Sequence, residues 1–274
     1  MSLVLNGVSV RHPSAGSRTS ALHDISLAVS PGEQLALIGP SGAGKTTLLH
    51  TLACALRPHD GEFKLFDADP WQLSESARHA LRRRLFLAPQ TPPLPPRQRV
   101  VTAVLAGMLP QWNLWRAFAS LLKPADPQRA YDALARFNLE GKLYDRVDRL
   151  SGGERQRCSM ARLLVSQAGL FLVDEPLSAL DPTLAERTLG VLQQEAKARN
   201  AMLVCSLHQV ELARAYFPRI VGLRDGRIVF DAPREHVTDD MIAALYRDAR
   251  DTNHQDGDAG QGDMSAPIPL ARCF

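Results

Sequence analysis

Cysteine is scarce and scattered in this chain of 274 residues. Cys54, Cys158, Cys205 and Cys273 show no paired metal-ligand spacing, and no basic region followed by an apolar core opens the sequence. A disulfide framework is therefore not expected, and a reduced compartment fits best. Long apolar runs are missing too. No stretch approaches the roughly 20 apolar residues that span a bilayer, which predicts a chain that is itself soluble. Charge of one sign is also lacking: a formal net charge of +3 is too small to imply a nucleic-acid face. Arg82, Arg83 and Arg84 form a local basic cluster, open to two readings, a solvated face or a contact to acidic partner groups. There are no internal repeats, and the length suffices for one substantial core or two unequal lobes without covalent staples.

What is present changes texture along the chain. Leu3, Leu5, Val8 and Val10, then Ile25, Leu27 and Val29, alternate with polar residues, which predicts a small lobe of half-exposed antiparallel strands. Gln34 to Ile38 is continuously apolar, as a buried strand is. It runs into a glycine-rich loop, after which Leu48, Leu49, Leu52, Ala53 and Leu56 recur at helical spacing. Between Gln90 and Leu150 comes a proline-rich segment, PQTPPLPP, and then helical runs carrying Val104, Leu105 and Met108, and Ala130, Leu134 and Phe137. These predict an inserted helical lobe. Strand-like runs return at Leu170 to Val173 and Met202 to Ser206, and Asp225-Gly226 reads as a hairpin turn between Arg219 to Leu223 and Arg227 to Phe230. Strands alternating with helices predict a mostly parallel α/β core. From about Asp248 apolar groups are few, and a disordered tail is expected; its His254, Asp256, Asp258, Asp263 and Cys273 follow no ligand spacing.

Five strings carry the chemistry. GPSGAGKTT, from Gly39 to Thr47, matches G-x-x-x-x-G-K-[ST] at Gly39, Gly44, Lys45 and Thr46. The small residues Pro40, Ser41, Gly42 and Ala43 let backbone N–H groups close around a β-phosphate. Lys45 would neutralise the β and γ oxygens, and the Thr46 hydroxyl, with Thr47 beside it, stands where magnesium is bound. Asp174-Glu175 closes an apolar run, placing two carboxylates at the carboxyl end of a buried strand, where open α/β sheets bind ligands. Asp174 would hold the magnesium shell, and Glu175 would orient or deprotonate the attacking water. In LSGGERQ, Ser151, Gly152 and Gly153 precede a helical pattern and would offer a hydroxyl and free N–H groups to a second phosphate. Ser151 and Glu154 also spell a capping box, and a cap and an anion site use the same geometry. Gln90 after Phe86-Leu87-Ala88, and His208 after Met202 to Ser206, complete the set.

Taken in this order, the strings resemble the nucleotide-binding subunit of an ATP-binding cassette (ABC) transporter, over roughly Leu3 to Tyr246. The resemblance implies a P-loop NTPase (RecA-like) α/β core with an antiparallel β subdomain and an inserted α-helical signature subdomain. Residues 1–246 would form the ATPase domain, with the core at 1–88 and 165–246, the helical subdomain at about 89–164 and a tail at 247–274. It implies a head-to-tail homodimer in which Lys45 of one subunit and Ser151, with Gly152, Gly153 and Glu154, of the other grip one ATP. Gln90 becomes a residue touching magnesium or water and sensing the membrane partner. His208 becomes a γ-phosphate contact, and Asp181 of SALD a coupler of the two sites. Thr46, Gln90 and Asp174 would share the Mg2+. His12 stands where the family usually stacks an aromatic ring on adenine, a smaller platform than Tyr or Trp. The prolines after Gln90 would stiffen a loop facing the membrane partner, or serve merely as a rigid connector.

The resemblance further implies two integral membrane permease subunits, an indirect extracytoplasmic solute-binding protein, no nucleic acid, and a peripheral place on the cytoplasmic face of the inner membrane. A lobe this compact between Lys45 and Ser151 does not resemble the coiled-coil ABC ATPases that act on DNA, and one cassette does not resemble the translation-associated class. VVTAVLAG, the Trp112 to Trp115 region, LYDRVDRLSGGERQR and SLHQVELA are most similar to phosphonate-import ATPases, with an importer of another small solute as the alternative.

Overall fold

A computed structural model describes residues 2–11, 20–122 and 124–247, which build two sheets. Strand β1 (Leu3–Arg11) pairs antiparallel with β2 (Ser20–Val29), Leu3 facing Val29 and Leu5 facing Leu27. The apolar residues of both strands share one buried cluster, a register shift between Leu5 and Val8 offsetting their odd spacing in β1. After β3 (Gln34–Ile38) and α1 (Lys45–Leu52), β4 (Asp60–Leu65) returns to the free edge of β1, giving a small sheet ordered β2-β1-β4.

The rest of the chain runs α2 (Glu75–Arg82), β5 (Leu85–Ala88), α3 (Val100–Leu105), α4 (Leu114–Leu122), α5 (Pro127–Ala135), α6 (Gly152–Val165), β6 (Leu170–Asp174), α7 (Pro182–Ala198), β7 (Met202–Ser206), α8 (Val210–Tyr216), β8 (Arg219–Arg224), β9 (Arg227–Pro233) and α9 (Asp239–Tyr246). The larger sheet is ordered β5-β6-β7-β3-β8-β9, parallel except for β9, which turns back from β8 through Asp225-Gly226. Every residue of β6 and β7 is buried, which is why both read as unbroken apolar runs.

This sheet separates two buried clusters. On one side Leu35, Leu37, Leu48 and Leu49 pack with Leu5, Ile25 and Phe63 of the small sheet. On the other, Ala36 and Ile38 belong to a cluster that continues through Val104, Leu134 and Phe137 to Leu163, so the helices between β5 and β6 share a core with the sheet. Three helices stop short of their apolar spacing. Helix α1 ends at Leu52, because Cys54 takes a left-handed φ of 55°, and Leu56 falls beyond it. Met108 sits in a 3-10 turn (Ala106–Gln111) holding Pro110, which lacks the N–H a longer helix needs. Phe137 is buried just past the end of α5.

The proline-rich segment is bonded to the turn before α6. Pro96 accepts from the Asp148 N–H at 2.9 Å, and Gln98 accepts from that of Val147 at 2.9 Å. Arg82 and Arg83 are exposed, whereas the Arg84 guanidinium lies 3.9 Å from the centre of the Phe66 ring, so the basic cluster divides between solvent and packing. Cys54, Cys158 and Cys205 are buried free thiols, burial pushing the first two up to about 12; Cys273 lies outside the described residues. Among the described residues no helix is long and apolar enough to cross a membrane. His12, and the segment expected as a tail from 248 onward, also lie outside them.

Candidate functional site

The parallel strands deliver their carboxyl ends to one edge, and the chemistry-bearing side chains collect there. Strand β3 passes into the loop at Gly39, where a β-carbon would come within 2.0 Å of the Leu223 carbonyl oxygen; only glycine lets the loop cross β8 so closely. The loop closes at Gly44, at a φ of 101° that side chains rarely adopt, and α1 starts at Lys45 with no side-chain cap and no acidic residue in its first turn. The positive end of the helix therefore faces the cleft unopposed by its own residues.

Lys45 is nearly buried, and its ammonium donates to the carbonyls of Gly39 at 2.8 Å and Pro40 at 3.1 Å. Burial lowers its pKa, while the charges of Glu175 and Asp174 act the other way. The Thr46 hydroxyl donates to Asp174 Oδ2 at 2.8 Å, and the Ser206 hydroxyl donates to Asp174 Oδ1 at 2.5 Å. A carboxylate that is 2% exposed thus has both oxygens satisfied. Thr46 and Asp174 are hard oxygen donors side by side, the ligand chemistry that suits magnesium, so the residues present fit that ion.

Glu175 follows with a left-handed φ of 49°, a strained setting for a residue with a long side chain. Its N–H donates to Ser206, at 3.0 Å to the hydroxyl and 3.3 Å to the carbonyl. Its carboxylate is held on both sides: Gln90 Nε2 donates to Oε2 at 2.7 Å, and His208 Nε2 stands 2.5 Å from Oε1. A cleft of about 540 Å³ opens over these groups, lined among others by Ser41, Lys45, Thr46, Gln90, Glu175 and His208. The β8–β9 hairpin reaches the same cleft through Gly226, whose N–H donates to Ala43 at 3.0 Å.

The structure brings together residues 41–47, Gln90, Asp174, Glu175 and His208, but does not add Ser151 to Glu154, the start of LSGGERQ, to them. Ser151 and Gly152 are exposed and do not line that cleft. Ser151 caps α6, its oxygen accepting the Glu154 N–H at 3.2 Å while the Glu154 carboxylate accepts the Ser151 N–H at 2.7 Å. Asp181 likewise caps α7, accepting from the Leu184 N–H at 3.0 Å.

Three side chains at this edge escaped the reading of the sequence. Ser206 braces both carboxylate residues. The Tyr246 hydroxyl on α9 accepts the Gly39 N–H at 3.1 Å. Gln156, buried on α6, donates to the Glu175 carbonyl at 2.7 Å. Two of them carried a signal, Gln156 as the last residue of LSGGERQ and Ser206 as the first of SLHQVELA.

The family model described as ABC transporter matches residues 22–178. The phosphonates import ATP-binding protein PhnC 2 of Albidiferax ferrireducens is 61% identical over 247 residues, covering 90% of this chain and 89% of that protein. The phosphonates import ATP-binding protein PhnC 1 of Pseudomonas aeruginosa is 50% identical over 273 residues, covering 100% of both. Among solved structures, a dimeric ATP-binding cassette in a post-hydrolysis state with ADP and Pi superposes with a TM-score of 0.74 at 23% identity, over 85% of this chain and 98% of that one. The chain cbiO1 of Clostridium perfringens, part of the ABC transporter complex cbiONQ, superposes with a TM-score of 0.70 at 20% identity, over 93% and 98%.

Proposed function

Because this chain belongs to the ABC transporter family, we propose that it is the subunit that binds and hydrolyses ATP to drive import of a phosphonate or a related phosphorus oxyanion. The observation that carries the hydrolytic part is the convergence of Lys45, Thr46, Asp174 and Glu175 on one cleft at the carboxyl edge of the sheet. The phosphonate part is supported by relatives named for phosphonate import at 61% and 50% identity.

In this reading residues 39–47 wrap the phosphates. Their amides and Lys45 meet negative charge, and Lys45 exchanges the Gly39 and Pro40 carbonyls for phosphate oxygens. Mg2+ would be held by Thr46, Asp174 and Gln90; when bound it supplies charge neutralisation on the phosphate oxygens. Glu175 takes a proton from, or orients, the attacking water once Gln90 and His208 release its carboxylate, and His208 then turns to the γ-phosphate. Ser151 to Glu154 serve the ATP of a second copy, which agrees with the exposure of Ser151 and Gly152 and with all four lying outside the lining of their own chain's cleft. Asp181 couples the two halves. His12 is assigned to the adenine.

Residues 1–246 act as one ATPase domain, with core segments 1–88 and 165–246, the helical subdomain at about 89–164 and an appended segment from 247. Two permease subunits and, through them, a solute-binding protein complete the importer, with this subunit peripheral on the cytoplasmic face.

Two experiments test the two parts. Glu175→Gln should retain ATP binding, lose turnover and accumulate as a closed dimer on sizing with ATP; normal turnover in that variant removes Glu175 from its role. Deleting the gene should abolish growth on a phosphonate as sole phosphorus source and spare growth on phosphate. Undiminished phosphonate growth in a strain with no second system would refute the cargo and leave the ATPase standing.

A further inference from the structure

Gln156 is one helical turn into α6, on the side turned away from solvent, and is 3% exposed. Its amide ties α6 to three residues of the β6–α7 connection. Nε2 donates to the Glu175 carbonyl at 2.7 Å and to the Ser178 hydroxyl at 3.3 Å, and Oε1 accepts the Ala179 N–H at 3.2 Å. Only one orientation of the amide works: the reverse would set oxygen against the Glu175 carbonyl and NH2 against the Ala179 N–H. Three nearby groups therefore fix the side chain with no choice of rotamer or flip.

The Glu175 peptide is the one that needs holding. At φ 49° it is strained, and such a conformation persists only where its surroundings over-determine it. Its N–H is fixed from β7 by Ser206, and its carbonyl from α6 by Gln156. The start of α6 also lies directly against the Ser178–Asp181 loop. A β-carbon on Gly153 would meet the Ala179 carbonyl oxygen at 2.6 Å, so the helix cannot shift along this loop without dragging it.

We propose that Gln156 is a positioning residue for hydrolysis, acting through Glu175. It locks the backbone that aims the Glu175 carboxylate to the same helix whose first turn carries Ser151, Gly152 and Gly153. Occupation of that helix start is thereby transmitted to Glu175 and to the loop leading to Asp181 through one side chain. This rests on the assignment of Glu175 as the water-activating group.

The test uses the full-length chain with two substitutions, Gln156→Met, which keeps volume and removes all three bonds, and Gln156→Glu, which keeps size and the acceptor facing Ala179 but removes the donor to Glu175. Steady-state ATP hydrolysis, equilibrium ATP binding and thermal melting are measured beside Glu175→Gln. Both variants should lose about ten-fold or more in kcat, the scale expected when a reacting group is displaced by a fraction of an ångström to an ångström. Their Kd for ATP should stay within about two-fold, because the phosphate loop lies elsewhere. If Gln156→Met does not fold, Gln156→Glu alone gives the answer. Wild-type kcat in a folded variant overturns the proposal, as does a parallel loss of kcat, ATP affinity and melting temperature. Unimpaired turnover in Glu175→Gln refutes instead the assignment on which the proposal rests.

Discussion

Ser206→Ala removes one oxygen from the floor of the cleft, and the structure sets the size of the effect. The hydroxyl is fully buried and makes two contacts, donating to Asp174 Oδ1 at 2.5 Å and accepting the Glu175 N–H at 3.0 Å. The second loss is softened, since the Ser206 carbonyl already shares that N–H at 3.3 Å. The first is not. Asp174 is buried, and a hydrogen bond to a charged acceptor contributes about 1.5–3 kcal/mol. Taking ~2 kcal/mol, and about 2–4 °C per kcal/mol for a domain of this size, the melting temperature should fall by about 4–8 °C. Hydrolysis should fall as well, because Asp174 and Glu175 both lose a brace. Differential scanning fluorimetry of the nucleotide-free chain and a coupled ATPase assay measure the two effects. A shift under about 1 °C with unchanged turnover would mean that Asp174 is held by Thr46 alone, and the account of the cleft floor would be wrong.

The buried Lys45 makes a pH-dependent contribution. Its folded-state pKa lies below the ordinary value near 10.5, so in the window between the two the unfolded chain binds more protons. Stability from this site should therefore rise with pH up to about 10.5, and urea unfolding across that window should show the rise vanish in Lys45→Met. Gly107→Ala should destabilise by about 1–3 kcal/mol through overpacking, since its β-carbon would meet the Arg162 carbonyl oxygen at 2.2 Å. ATP affinity should be untouched, which melting and titration calorimetry check together. Tyr246→Phe leaves the Gly39 N–H without its acceptor at 3.1 Å. A weaker ATP Kd by several-fold, with kcat near wild type at saturation, is the expected split.

How much of this could be read from the chain depends on whether the cause was local. Lys45, Thr46, Asp174 and Glu175 were readable because each sits where an apolar run ends in a recognisable loop, so strand prediction alone places them at one edge. Gln90 and His208 also follow apolar runs, at β5 and β7, but it was the family resemblance that singled them out. Strand β4 escaped because only Phe63 and Leu65 of its six residues are buried, too few to show an alternation. Ser206, Gln156 and Tyr246 escaped for a different reason. Each is a common residue whose partner lies far off in sequence, Asp174 for the first, Glu175 for the second and Gly39 for the third. The two-cluster core likewise follows from the order of strands across the sheet, which alternation along one strand does not encode.

The left-handed backbone at Glu175 bears on how the position can be probed at all. Residues differ in their tolerance of positive φ: asparagine and aspartate accept it readily, glycine freely, and valine, isoleucine or threonine hardly. A scan at 175 therefore mixes two ledgers, the lost carboxylate and a conformational bill that changes with each substitute. Alanine and the branched residues would report local geometry as much as chemistry, whereas glutamine, with the same branching and length, isolates the charge. The same mixing governs natural variation there, since any replacement must satisfy the peptide before its side chain can be judged.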